Sequence, residues 1–325
     1  MPMNHLPLAA ALILATAVPA AANRVFVSNE KSNDVTVLDS DTLEVIGTYP
    51  VGNRPRGIAI SPDGSELYIC VSDDNIVRVF DPETMEELHT LPSGPDPELF
   101  VLHPSGNPLY IANEDDNLVT VVDTQTHERL AEIPVGVEPE GMGVSPDGKT
   151  VINTSETTNM AHFIDSETFE IYANTLVDSR PRFAEYNHDG SKLYVSSEIG
   201  GTVSVIDPTT QQIVDKIEFE IPGVLPEAIQ PVGVRVTNDG SKVFVALGPA
   251  NRVAVIDGET DEIIDYLLVG QRVWQMAFTP DESLLFTTNG NSNDVSAIDV
   301  ESLEVVKSIQ VGQQPWGVVV APDAQ

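Results

Sequence analysis

Two Arg-Pro-Arg triplets, Arg54-Pro55-Arg56 and Arg180-Pro181-Arg182, stand out in a chain of 325 residues with only 16 basic side chains. Between them lie two acidic counterparts, Asp96-Pro97-Glu98 and Glu138-Pro139-Glu140. Gln230-Pro231-Val232, Arg272-Val273-Trp274 and Gln314-Pro315-Trp316 follow. The flanking positions of these triplets carry five of the 16 basic residues and both tryptophans. Guanidinium forks match carboxylates, and indole faces suit a planar body. One reading is therefore a mouth for a small anionic ligand. The other is that Arg54, Arg56, Arg180 and Arg182 pair with Asp96, Glu98, Glu138 and Glu140 and plug the site, with modest energetic value if solvated. A hydrolytic arrangement would take Glu98, Glu140 and His162 as acid–base groups, with an arginine stabilising developing negative charge.

Other chemistry is thinly represented. His89, His103, His127 and His188 are scattered, with no His-x-His or His-Glu-x-x-His spacing for a metal. The single cysteine, Cys70, excludes an internal disulfide framework, and its apolar surroundings suit a buried filler. No Gly-x-Ser-x-Gly, Walker or Rossmann motif occurs. No metal and no cofactor is expected.

The triplets are positioned by an internal period. Apolar-apolar-Asp recurs with its aspartate at Asp39, Asp81, Asp123, Asp165, Asp207, Asp257 and Asp299, and the steps are 42 residues except for one of 50. The segments before Asp39 and after Asp299 together supply one more unit, so seven units wrap into a circle with one insertion, around residues 221–226. Each unit holds four short β-type runs separated by turn residues, and a unit this short must stack on its neighbours to bury its faces. This predicts an all-β, seven-bladed propeller of four-stranded blades over residues 23–325. One C-terminal strand is expected to join three N-terminal strands and close the ring. The triplets then precede the inner strand of each blade, at the channel mouth, and the insertion falls on the same face as a candidate flap.

Comparing equivalent positions separates scaffold from site. The aspartates of the period are each followed by Thr or Ser at the third position, which suits a turn fixed by a carboxylate rather than a metal ring. Asp63, Asp147, Asp189, Asp239, Asp281 and Asp323 belong to a second repeated turn, Pro-Asp-Gly and its variants.

The repeats resemble the YVTN family of β-propellers. The resemblance is carried by Leu109-Tyr110-Ile111-Ala112-Asn113, Val25-Phe26-Val27-Ser28-Asn29 and Leu285-Phe286-Thr287-Thr288-Asn289, and by Val-Gly-x-x-Pro-x-Gly at residues 51–57, 135–141 and 311–317. Among exported members the chain is most similar to the PQQ-dependent catabolism-associated β-propeller proteins. That resemblance implies association with quinoprotein dehydrogenase pathways and carries over no catalytic residues. The tryptophan docking motifs of quinoprotein dehydrogenase propellers are absent, so PQQ is not expected as a redox centre of this chain.

Residues 8–19 form an uncharged apolar stretch followed by Ala20, Ala21 and Ala22, which reads as a signal peptide over residues 1–22 despite the lack of Lys or Arg before it. A periplasmic monomer without a membrane span is expected. Its formal charge of −34 argues against nucleic acid or an anionic membrane and suits a basic partner or a salty habitat. Function is expected to be non-catalytic: a binding or accessory protein contacting a small anionic ligand, a quinoprotein dehydrogenase or a c-type cytochrome. A lactonase-type hydrolase and a cell-surface interaction module are the alternatives.

Overall fold

The computed structural model describes residues 23–322. The proposed signal peptide and Asp323 lie outside the described residues. Seven four-stranded antiparallel sheets follow one another around a central channel. Blade 1 runs through Pro55–Ile60, Leu67–Val71, Ile76–Phe80 and Glu87–Pro92, from the channel outward. The inner strands of blades 2 to 6 are Pro97–Leu102, Pro139–Val144, Pro181–Tyr186, Val234–Val236 and Val273–Phe278. Blade 7 closes the ring as expected: Pro315–Val320 is its inner strand and Arg24–Asn29, Asp34–Asp39 and Val45–Pro50 complete it. Val25 pairs with Val320 and Val27 with Val318, so Arg24–Asn29 is paired on both sides and has no open edge.

The sequence pattern follows from this stacking. Second strands such as Leu67–Val71 and Leu109–Asn113 are buried at every position, because both faces press against neighbouring blades. Outer strands such as Val45–Pro50 are largely exposed. Tyr68, Tyr110, Tyr194, Phe26, Phe244 and Phe286, all on second strands, are among the bulkiest fully buried side chains. Each such side chain contributes about 1.5–3 kcal/mol by leaving water. Cys70 is fully buried among them, and burial pushes its thiol well above the ordinary range.

Both repeated aspartates are turn braces. Asp39 Oδ1 accepts the backbone N–H groups of Asp41 at 3.0 Å and Thr42 at 2.7 Å. The same pattern recurs from Asp81 to Asp299. Asp63 is held down at about 2 by the Ser61 and Ser65 hydroxyls. The insertion is not a free flap: Ile221 and Ile229 are buried in a core cluster, Val224 packs against it, and a single 3-10 turn, Pro226–Ala228, lies between. No helix among the described residues is long and apolar enough to cross a membrane.

Candidate functional site

The first residue of each triplet is placed by an asparagine of the preceding blade. The side-chain oxygens of Asn33, Asn75, Asn117, Asn159, Asn251 and Asn293 accept the backbone N–H groups of Arg54, Asp96, Glu138, Arg180, Arg272 and Gln314 at 2.9–3.1 Å. Those six mouth residues have φ between 49° and 60°, a left-handed conformation that costs a non-glycine residue about 1 kcal/mol. The seventh blade-to-blade step is the exception. Gly201 occupies the asparagine position before the insertion, and Gln230 lacks the brace.

A second set of side chains, missed by sequence comparison, completes the ring. Glu30, Glu114, Glu156 and Glu198 follow the second strands of their blades, and their N–H groups bond to the carbonyls of Gln314, Asp96, Glu138 and Arg180 at 2.8–3.0 Å. They occur at the same 42-residue step as the triplets, where the other blades carry Ser72, Gly248 and Gly290. That divergence was the available signal.

All five mouth arginines are engaged by these carboxylates. Arg54 meets Asp96 at 2.8 Å and Glu98 at 2.7 Å, and Arg56 pairs with the other Glu98 oxygen and, at 3.4 Å, with Glu30. Arg182 lies between Glu140, at 3.0 Å, and Glu156, with Glu198 farther off at 3.8 Å. Arg180 reaches Glu156 and Glu198 at 2.7 and 3.3 Å. Arg272 bonds Glu198 at 2.6 Å and the Gln230 side chain at 2.7 Å. Pairing with Asp96, Glu98 and Glu140 is thus as anticipated. Glu138 departs from it, accepting the Thr157 hydroxyl instead of an arginine.

The indoles stack on the same cations. Trp316 is 1% exposed with Arg56 at 5.5 Å from its ring centre, while Trp274 lies between Arg272 at 4.2 Å and Arg182 at 5.5 Å. Such cation–π contacts gain when desolvated. Both indole faces are therefore covered by guanidiniums, while a cavity of about 380 Å³ lined by Glu114, Glu138, Glu156 and Arg180 remains on this face.

Five guanidiniums meet eight carboxylates here, and acid is in excess. Burial pushes Glu98 up to about 8 against the pull of Arg56, with Asp96 and Glu114 adding to the rise. Glu140 is likewise pushed up to about 8 by burial, opposed by Arg182 and reinforced by Glu98 and Glu156. Oxygens of Asp96, Glu98 and Glu114 come within 4.8 Å of one another, a spacing a cation could use. Both oxygens of Asp96 and of Glu98 already face arginine donors, however.

His162 is not brought to this ring. It is 6% exposed inside blade 3, where Nε2 accepts from the Gly136 N–H and the Ser155 hydroxyl, both at 3.0 Å, leaving Nδ1 to donate to Asn174. Burial holds it below the ordinary imidazole range. Glu98, Glu140 and His162 therefore share no open site for acid–base chemistry.

No protein-family model and no curated protein matches the chain. Solved structures do share the fold. A Kuenenia stuttgartiensis hydrazine synthase chain is 21% identical with a TM-score of 0.79, covering 89% of this chain and 99% of that one. A functionally unknown protein from Desulfotomaculum acetoxidans is 15% identical with a TM-score of 0.80, covering 93% of this chain and 99% of that chain. A candidate 6-phosphogluconolactonase from Bacteroides fragilis is 18% identical with a TM-score of 0.78, covering 94% of this chain and 99% of that chain. This chain is a seven-bladed β-propeller. At such identities the likeness extends to the fold alone.

Proposed function

We propose that this propeller is an exported, periplasmic, non-catalytic binding protein of the YVTN type, accessory to a quinoprotein-dependent oxidation. Residues 1–22 would be its removed leader and residues 23–325 its single domain. Its mouth face docks a basic partner such as a c-type cytochrome or a dehydrogenase. The observation that carries this reading is the ring's charge balance: each of its arginines is met by a carboxylate, and its acids are in excess, with Glu114 and Glu138 reaching no arginine among the described residues. Four of the five arginines hold their terminal nitrogens on carboxylate or amide oxygens, and Arg180, engaged through Nε alone, shares its surroundings with Glu114, Glu138 and Glu156, so a basic protein surface suits the face better than a small anion. The presence of this fold in a hydrazine synthase chain is in keeping with a role beside redox chemistry.

Asp115 and Asp116 are exposed on the turn that also carries Glu114 and Asn117, so they sample the face without touching the ring's ion pairs. Titration with a basic c-type cytochrome at about 20 mM salt should show binding that fades as the Debye length contracts. The D115K/D116K variant should bind about ten-fold more weakly with an unchanged melting temperature. Absence of binding at low salt, or equal binding by the variant, would remove the support for this face as a dock.

A further inference from the structure

The opposite end of the channel is a separate cavity. It has a volume of about 710 Å³, is lined by inner-strand residues of all seven blades, and includes none of the mouth residues. The ring of ion pairs lies at the other end, and the cavity opens between the turns that carry Pro104, Pro146 and Pro280. Its volume falls within the range of small-molecule sites.

Equivalent positions single out one layer of its wall. Counted from the middle residue of each triplet, the fifth position is small and apolar in five blades, as Ala59, Val101, Gly143, Ala277 and Val319. In the two remaining, adjacent blades it is Glu185 and Arg235. A blade needs neither charge there, since five blades do without one, and burying a charge costs free energy unless a partner is supplied. The pair is loose: Arg235 Nη1 lies 3.4 Å from Glu185 Oε2, and its firmer bond is to the Val234 carbonyl at 2.9 Å. The guanidinium carbon sits 4.8 Å above the Phe183 ring, which fixes its plane. Its Nε and Nη2 donors, the edge that forms a bidentate fork, have no hydrogen-bond partner among the described residues. By contrast, each mouth arginine has at least one carboxylate contact of 2.7 Å or shorter.

We infer that this channel binds a small amphipathic carboxylate, held by the free edge of Arg235 while its hydrocarbon body lies along the apolar wall opposite. A planar bidentate fork selects a carboxylate over an alcohol or an amine. Ile58, Ile60, Leu102 and Phe278 line the cavity and would cover the chain. The two strand steps from Ile58 to Ile60 rise roughly 7 Å, so this wall covers most of an eight-carbon chain. Glu185 competes with the ligand for the same guanidinium, so it sets the affinity rather than supplying it. This site is independent of the docking proposed for the mouth face.

Calorimetric titration of the purified protein with octanoate, octanol and octylamine tests the inference. Octanoate should bind at least about ten-fold more tightly than either analogue, the difference expected of one charged fork. Arg235→Gln should abolish that preference while leaving the melting temperature close to the parent. Glu185→Gln, which removes the competitor, should tighten octanoate several-fold. Failure of octanoate to bind at millimolar concentration, equal binding of octanol, or weaker octanoate binding by Glu185→Gln would each overturn the assignment.

Discussion

Replacing Arg182 with methionine tests whether the mouth is held by buried charge. The side chain is 4% exposed and lies against Glu140, Glu156 and Glu198, themselves 2%, 5% and 3% exposed. Removing one partner of a buried ion pair typically costs about 3–5 kcal/mol, because the remaining charge loses its compensation. Arg180 and Arg272 still reach Glu156 and Glu198, which places the expected loss near about 3 kcal/mol. For a chain of this length roughly 2 °C per kcal/mol follows, so melting should fall by about 6 °C at pH 7. The loss should also widen with pH. Glu140 is pushed up to about 8 by burial even with Arg182 present, and losing that cation raises it further. The variant thus pays for ionising Glu140 above pH 8 and is spared that cost at pH 6. Thermal denaturation followed by near-ultraviolet circular dichroism at both pH values reads this directly. A fall below about 2 °C, or a loss that is the same at both pH values, would show that the ring is solvated and that buried ion pairing does not hold it.

Two further expectations rest on the same geometry. Glu98 and Glu140 lie at about 8 in the folded protein against 4.5 for an ordinary glutamate, so the folded state holds protons that the unfolded chain releases. Stability from these two groups is therefore present below pH 4.5 and is lost as pH rises through 8. Asp63 and Asp239, lowered to about 2, act oppositely: their contribution is present above 3.8 and is lost as pH falls through 2. Melting temperature should accordingly peak at mildly acidic pH, and a steady rise from pH 5 to pH 8 would contradict it. Asn159→Ala should cost about 2 kcal/mol, roughly half from the lost acceptor for the Arg180 N–H and half from an alanine at φ 57°. Asn159→Gly, which relieves the backbone term, should recover part of that loss in the same denaturation measurement.

The fold was legible because stacking leaves a periodic record. A blade must bury both faces of its second strand and turn at fixed points, so Leu109-Tyr110-Ile111 and the aspartates from Asp39 to Asp299 repeat at one spacing. The positions of Arg54, Arg56, Glu98, Glu140, Arg182 and Trp316 at the channel mouth followed from that count. Their partners did not. Glu156 neutralises Arg180 and Arg182 across two blades, and nothing along the chain says which of several acids a guanidinium will reach. The insertion around residues 221–226 read as a candidate flap, and only packing revealed Ile221 and Ile229 as anchors.

Sequence alone determined the number of blades, the closure by residues 315–320 and the set of positions released from scaffold duty, since each is a property of order along the chain. Tertiary structure alone decided whether those positions stay open. It placed ion pairs across the mouth and left the fork of Arg235 without a hydrogen-bond partner in the cavity at the other end of the channel. The physical reason is that charge and burial are settled by neighbours from other blades, in three dimensions, where a pairing distance of an ångström or two separates a closed plug from a free hand.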